Sequence, residues 1–152
     1  KANRKRKAGP RLRQSGMKQN RLVEVAAGLI FRAGKLLIAQ RRPGDHLGGL
    51  WEFPGGKREA GETFKRCLAR EVKEELGMQV EPTELVEAIT HRYPEKTVRL
   101  RFFRCLWRNH EPKPLGCQAF AWIERNQLDQ FDFPAADARL LQKLKRTPRL
   151  WR

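Results

Sequence analysis

Acidic residues are scarce in this chain. Only 17 Asp and Glu stand against 33 Lys and Arg in 152 residues, a formal charge of +16, and such an excess favours anionic partners or substrates by electrostatic steering. Cysteine is scarcer still. Cys67, Cys105 and Cys117 are an odd number with no CxxC spacing, which excludes a disulfide framework and reads as reduced thiols in a cytoplasmic protein. Three scattered histidines, His46, His91 and His110, suggest no zinc site. No apolar run approaches the ~20 residues of a membrane span, and the charged N-terminus lacks the apolar stretch of a secretory signal. No internal repeat is visible. The chain does not begin with Met, which reads as a processed or truncated piece.

What is present is unevenly placed. Nine basic residues, from Lys1 to Arg21, precede the first acid, Glu24; without them 24 basic residues face 17 acidic ones. Residues 1–20 carry Gly, Pro, Ser and Asn with almost nothing apolar, the composition of a disordered tail. Such a tail can contact nucleic acid non-specifically through phosphates, or serve only as a linker or solubilising segment. Residues 21–146 read as one domain, and 147–152 as a loose basic tail.

Within the domain, Leu22–Phe31 reads as a buried strand, Arg32-Ala33-Gly34 as a turn and Lys35–Gln40 as a second strand. Residues 41–50 form a Gly/Pro loop. Trp51-Glu52-Phe53 is short and extended, and Pro54-Gly55-Gly56 reads as a sharp turn. A helix follows, capped by Thr63 and stopped by Gly77, with Leu68, Val72 and Leu76 as its apolar stripe. Leu85–Arg92, Thr97–Trp107 and Phe120–Ile123 read as strands, Asn126–Gln130 as a helical turn and Ala135–Lys145 as a final helix opened by Pro134. Strands followed twice by helices indicate a mixed α/β sandwich.

The helix after Gly56 carries the chemistry. Glu71, Glu74 and Glu75 stand at i, i+3 and i+4, on one helix face. Three carboxylates held together repel unless cations lie between them. Hard divalent ions such as Mg²⁺ or Mn²⁺ want such oxygen ligands and bind phosphate oxygens at the same time. Metal-assisted cleavage of a phosphate anhydride follows. The bland alternative, a solvated charged helix face, leaves the loop glycines and Glu62 without a role.

From Gly56 to Met78 the segment resembles the Nudix box, G-x5-E-x7-R-E-U-x-E-E-x-G-U with U apolar. Gly56, Glu62, Arg70, Glu71, Val72, Glu74, Glu75, Gly77 and Met78 meet every defined position, a coincidence on the order of 10⁻⁹ at average usage. Leu50-Trp51-Glu52-Phe53-Pro54-Gly55-Gly56-Lys57 resembles the MutT branch, which hydrolyses oxidised nucleoside triphosphates such as 8-oxo-dGTP to a monophosphate and pyrophosphate. The resemblance implies an α/β/α sandwich with a mixed sheet. It also implies metal ligation by the Gly55 carbonyl, Glu71, Glu74 and Glu75, with Glu71 or a neighbour as the base. Glu62 would support the loop, and Arg70 would orient a carboxylate. For substrate binding it points to Asp137 at the purine edge, with Arg41, Arg42, Phe53 and Lys57 as further candidates. Asp137 also reads as an ordinary acid in a helix first turn, and Phe53 as a core aromatic.

One departure stands out. The MutT branch places another metal-ligating carboxylate on the loop before the late strand. Here that position falls near Gly116, in Leu115-Gly116-Cys117-Gln118-Ala119, with no acid closer than Glu111. The alternatives are a box acting on another nucleotide and a reader of 8-oxoguanine in DNA, like the MutT-like domain of a MutY-type adenine glycosylase.

Overall fold

Arg21–Arg32 form β1, the strand around which the molecule is built. The structure, a computed structural model, describes residues 21–152. The expected disorder and nucleic-acid contact of segment 1–20 lie outside the described residues. β1 is buried on both faces at its centre, where Ala26, Leu29 and Ile30 have no exposed surface, and this explains its continuous apolar run. Ala33 and Gly34, both at positive φ, turn the chain into β2, Lys35–Gln40, antiparallel to β1. Trp51–Glu52 form β3 beside β2.

Gly55–Lys57 form β4, antiparallel to β1 through Ala27↔Gly55, Ala26↔Gly56 and Val25↔Lys57. This corrects the turn expected at Pro54-Gly55-Gly56. Glycine has poor strand propensity, but only a residue without Cβ can lie here. A Cβ on Gly55 would come within 2.0 Å of the Ala26 carbonyl oxygen.

Helix α1 spans Phe64–Leu76. β5 (Gln79–Arg92) and β6 (Lys96–Asn109) are antiparallel to each other, and β6 runs parallel to β1 from Arg21↔Lys96 to Ile30↔Cys105. β7, Ala119–Ile123, pairs with β2. The main strand order is β3-β2-β1-β6-β5, with β4 and β7 as side pairings. Arg125–Gln130 and Ala135–Asp137 are 3₁₀ turns, and the final helix α2 begins only at Ala138 and ends at Arg146.

The sheet separates two cores. Cys67, Leu68, Val72 and Leu76 of α1 pack with Ile30, Leu37 and Phe103 on one face. Leu140 and Leu144 of α2 pack with Leu29, Ile38 and Phe102 on the other. A mixed sheet between helices is the fold class expected from the sequence. No helix among the described residues is long and apolar enough to cross a membrane. All three thiols are buried and free, and burial raises Cys67 and Cys117 to about 11 and Cys105 to about 12.

The C-terminus corrects the expected loose tail at 147–152. Pro148–Trp151 is a 3₁₀ turn that buries Leu150 and Trp151. The Trp151 indole donates to the Leu144 carbonyl at 3.0 Å and meets the Phe31 ring edge-on at 5.4 Å. The flanking arginines make this segment look polar, but two large apolar side chains decide its place. Trp151→Ala is expected to cost about 3–5 kcal/mol of stability, read from the urea midpoint.

Candidate active site

α1 is pinned at both ends, which fixes where its carboxylates point. Thr63 Oγ1 accepts from the Arg66 backbone N–H at 3.1 Å. Gly77, left-handed at φ 67°, returns its N–H to the Lys73 carbonyl. The loop before β7 closes the helix end: Lys113 N–H donates to the Leu76 carbonyl at 2.8 Å, and Leu115 and Gly116 N–H donate to the Glu75 carbonyl at 3.1 and 2.9 Å.

Arg70 is the hub of the acidic cluster. Its Nε and Nη2 donate to the two Glu62 oxygens at 2.7 and 2.8 Å, a bidentate pair, while Nη1 reaches Glu71 at 3.0 Å and Glu74 at 3.3 Å. The Arg70 bond, then the Glu59 backbone N–H, hold Glu62 down to about 2. These contacts also raise the Arg70 pKa above its ordinary value, Glu62 contributing most. Glu62 therefore ties the loop to the helix in its charged form.

Glu71 lies against the backbone of β4. A Cβ on Gly56 would sit 2.4 Å from its carboxyl, so that glycine makes room for the carboxyl group. Burial raises the Glu71 pKa, against the pull of Arg70. Glu75 Oε2 accepts from the Gly55 N–H at 3.3 Å. Burial, then the facing carboxyl of Glu52, pushes Glu75 up to about 8. Burial also raises Glu52, but Arg41 Nε donates to it at 2.7 Å and favours its charge. Arg41 thus favours the charged form of Glu52, while burial and Glu52 disfavour that of Glu75. Glu74, at the rim, is 60% exposed.

Beside this cluster opens a cleft of ≈ 240 Å³, between β1, β6 and the segment before α2. Arg41, Glu52, Phe53, Lys57 and Asp137 all line it. Phe53 does so as a core residue, stacked on Phe133 at 5.2 Å and edge-on to Phe102 at 5.9 Å. Asp137 is 7% exposed, the one buried charged residue among those described. It stands in the first turn of the 3₁₀ segment and at the N-cap of α2, the place the helix-terminus reading expects, without a side-chain hydrogen bond to a helix N–H. Burial, then the nearby Glu52 charge, raises it to about 7.

Arg42 does not join the other candidates. Its guanidinium donates to the Leu115 carbonyl at 2.8 Å and braces the loop that caps α1. Glu111 pairs with Arg32 at 3.1 Å on the surface and supplies no substitute acid. The residue that sequence reasoning missed is Glu52, which bridges Arg41 and Glu75. Its place beside Trp51, three residues before Gly55, was the available signal.

The NUDIX domain model matches residues 26–143. The 8-oxo-dGTP diphosphatase of Haemophilus influenzae is 36% identical over 125 residues, which is 82% of this chain and 92% of that protein. The CTP pyrophosphohydrolase of Escherichia coli is 34% identical over 128 residues, 80% of this chain and 90% of that one. Among solved structures, the ORF135 protein of E. coli is 30% identical, with a TM-score of 0.75 over 84% of this chain and 91% of that one. A MutT of methicillin-resistant Staphylococcus aureus is 31% identical, with a TM-score of 0.69 over 84% and 98%. With the family's box on α1 and its fold around it, the chain belongs to the NUDIX domain family and is a Nudix hydrolase, a nucleotide pyrophosphohydrolase.

Proposed function

We propose that this hydrolase cleaves oxidised purine nucleoside triphosphates, with Mg²⁺ or Mn²⁺, to the monophosphate and pyrophosphate. One observation carries the reading. Glu52, the carboxyl that faces Glu75 of α1, lines a cleft that also holds a buried carboxyl, Asp137, at its wall. The donors fit a hard divalent ion: all are oxygens, and burial and mutual repulsion raise Glu71 and Glu75 in a way that a cation would relieve. Gly55 O, Glu71, Glu74 and Glu75 would hold it. A bound ion supplies positive charge to the triphosphate and lowers the pKa of a coordinated water.

The rest is the work of side chains. Glu71 accepts the proton of the attacking water, held in place by Arg70. Arg41 and Lys57 offer positive charge to the phosphates from the cleft wall. Glu62 holds Arg70 and so fixes the cluster indirectly. Asp137 reads the base edge, where a neutral carboxyl both donates and accepts.

Pyrophosphate release with Mg²⁺ across 8-oxo-dGTP, dGTP, CTP and a nucleotide sugar tests this directly. The highest kcat/KM is expected for 8-oxo-dGTP, and no release from any triphosphate would overturn the reading. A pyrimidine triphosphate is the second candidate, favoured by the CTP-hydrolysing relative. A pure reader of oxidised guanine in DNA would have no need of the carboxylate set.

Asp137→Ala should leave the base edge unpaired at a cost of ~1–3 kcal/mol, lowering the 8-oxo-dGTP to dGTP ratio of kcat/KM by roughly 5- to 150-fold. Since Asp137 titrates near 7, KM for 8-oxo-dGTP should rise as pH passes upward through that value. Asp137→Asn, always neutral, should remove that dependence.

A further inference from the structure

On the α1 side of the sheet, three cross-strand rows lie at the end where β1 begins. They are Leu22–Thr97–Arg92, Glu24–Arg99–Thr90 and Ala26–Arg101–Ala88, read across β1, β6 and β5. Residues directly opposite in a ladder share a face. α1 covers this face at Ala26, Ile30 and Phe103, but Leu22, Thr90, Arg92, Arg99 and Arg101 are exposed.

Charge on these rows is one-sided. Glu24 is their single carboxylate, and Arg58 Nη2 takes it at 2.6 Å. Arg58, then Arg99 and Arg101, draw its pKa down against burial. Arg92, Arg99 and Arg101 form no salt bridge among the described residues, whereas Arg32, Arg41, Arg70, Arg108 and Arg139 each have a carboxylate partner. Arg101 lies 4.3 Å from the centroid of the Phe64 ring, and Arg58 lies 5.5 Å from the same centroid. The ring holds the Arg101 guanidinium without taking up its N–H groups, which can serve an outside acceptor.

We infer that this open arginine face binds the phosphate backbone of nucleic acid, separately from the nucleotide cleft on the opposite side of the sheet. Charge and spacing select the partner. Arg99 and Arg101, two residues apart on β6, stand about 6.7 Å apart along the strand, a row suited to successive phosphates of an extended chain rather than to a lone phosphate. Guanidinium groups hydrogen-bond phosphate oxygens and stack on bases. Leu22 is the one large apolar residue exposed in these rows, too little to anchor a lipid surface.

The test uses the full chain and 20-nucleotide single-stranded and duplex DNA, with affinity followed from 50 to 200 mM salt. Arg92→Ala/Arg99→Ala/Arg101→Ala should weaken binding at least tenfold at 50 mM. It should also flatten the slope of log K against log salt by about 2–3, near one per lost phosphate contact. Arg125→Ala/Arg146→Ala/Arg149→Ala removes the same charge elsewhere and should change affinity by less than threefold. Lysine at all three patch positions should keep most of the binding. Unchanged melting temperature and triphosphate hydrolysis would certify the fold of each variant. Equal losses in the two alanine triples, or no DNA binding by the parent chain, would overturn the inference. So would a patch defect seen with anionic vesicles and not with DNA.

Discussion

Glu75→Gln is expected to lower triphosphate turnover at least a hundredfold at saturating Mg²⁺, and to stabilise the metal-free protein at pH 8. The first effect follows from losing an anionic oxygen where charge stabilisation is worth several kcal/mol. The second follows from linkage. In the fold, burial and Glu52 raise the Glu75 pKa to about 8, well above the ordinary carboxylate range. Between that range and pH 8 the folded protein binds more protons than the unfolded chain. Its stability therefore falls as pH rises through this window. Melting temperature in EDTA should decline from pH 5 to 8.5. The glutamine variant should flatten the decline, and Mg²⁺ should restore the parent protein at pH 8. A glutamine variant with near-normal turnover would remove Glu75 from the site. A pH-independent melting temperature would contradict the facing carboxyl pair.

Arg70→Ala should reduce kcat by about a hundredfold with little change in KM. Arg70 is not itself part of the cleft lining and meets it only through the Lys57 carbonyl, to which Nη2 donates at 3.3 Å; its charged partners are Glu62, Glu71 and Glu74. Without it, Glu71 loses its orienting donor and faces the ionised Glu62 directly, and a misplacement of about 1 Å at a reacting group costs on the order of 10²-fold. Arg70→Lys should recover only part of this, since an ammonium cannot make the bidentate pair with Glu62 while also reaching Glu71. Steady-state kinetics at several Mg²⁺ concentrations would separate loss of position from loss of metal affinity. Full recovery in the lysine variant would mean that charge alone matters at this place.

What the sequence disclosed was local. Helix α1, its Thr63 and Gly77 caps and its apolar stripe are properties of 15 neighbouring residues, and the carboxylate face comes with the helical repeat. The parallel pairing of β1 with β6 joins segments ~75 residues apart, and no local pattern announces such a partner. β4 was illegible for a related reason: its glycines are there to let β1 and the Glu71 carboxyl come close, and that demand is set by other segments. Glu52 sits in a two-residue strand, too short for periodicity to assign it a face. Asp137 was visible only by resemblance. Its burial depends on Phe53 and the β6 face arriving at the same cleft.

The three buried thiols have a chemical consequence. With pKa values of about 11 and 12, no more than about one in 10⁴ of any of them is thiolate at pH 7, and thiolate is the form that peroxides attack. A purine triphosphate becomes oxidised when peroxides and radicals are abundant, so an enzyme that clears such nucleotides works hardest in that chemical weather. By keeping each sulfur protonated and enclosed, this fold is expected to resist peroxide at its thiols. Incubation with millimolar peroxide should accordingly leave its turnover intact.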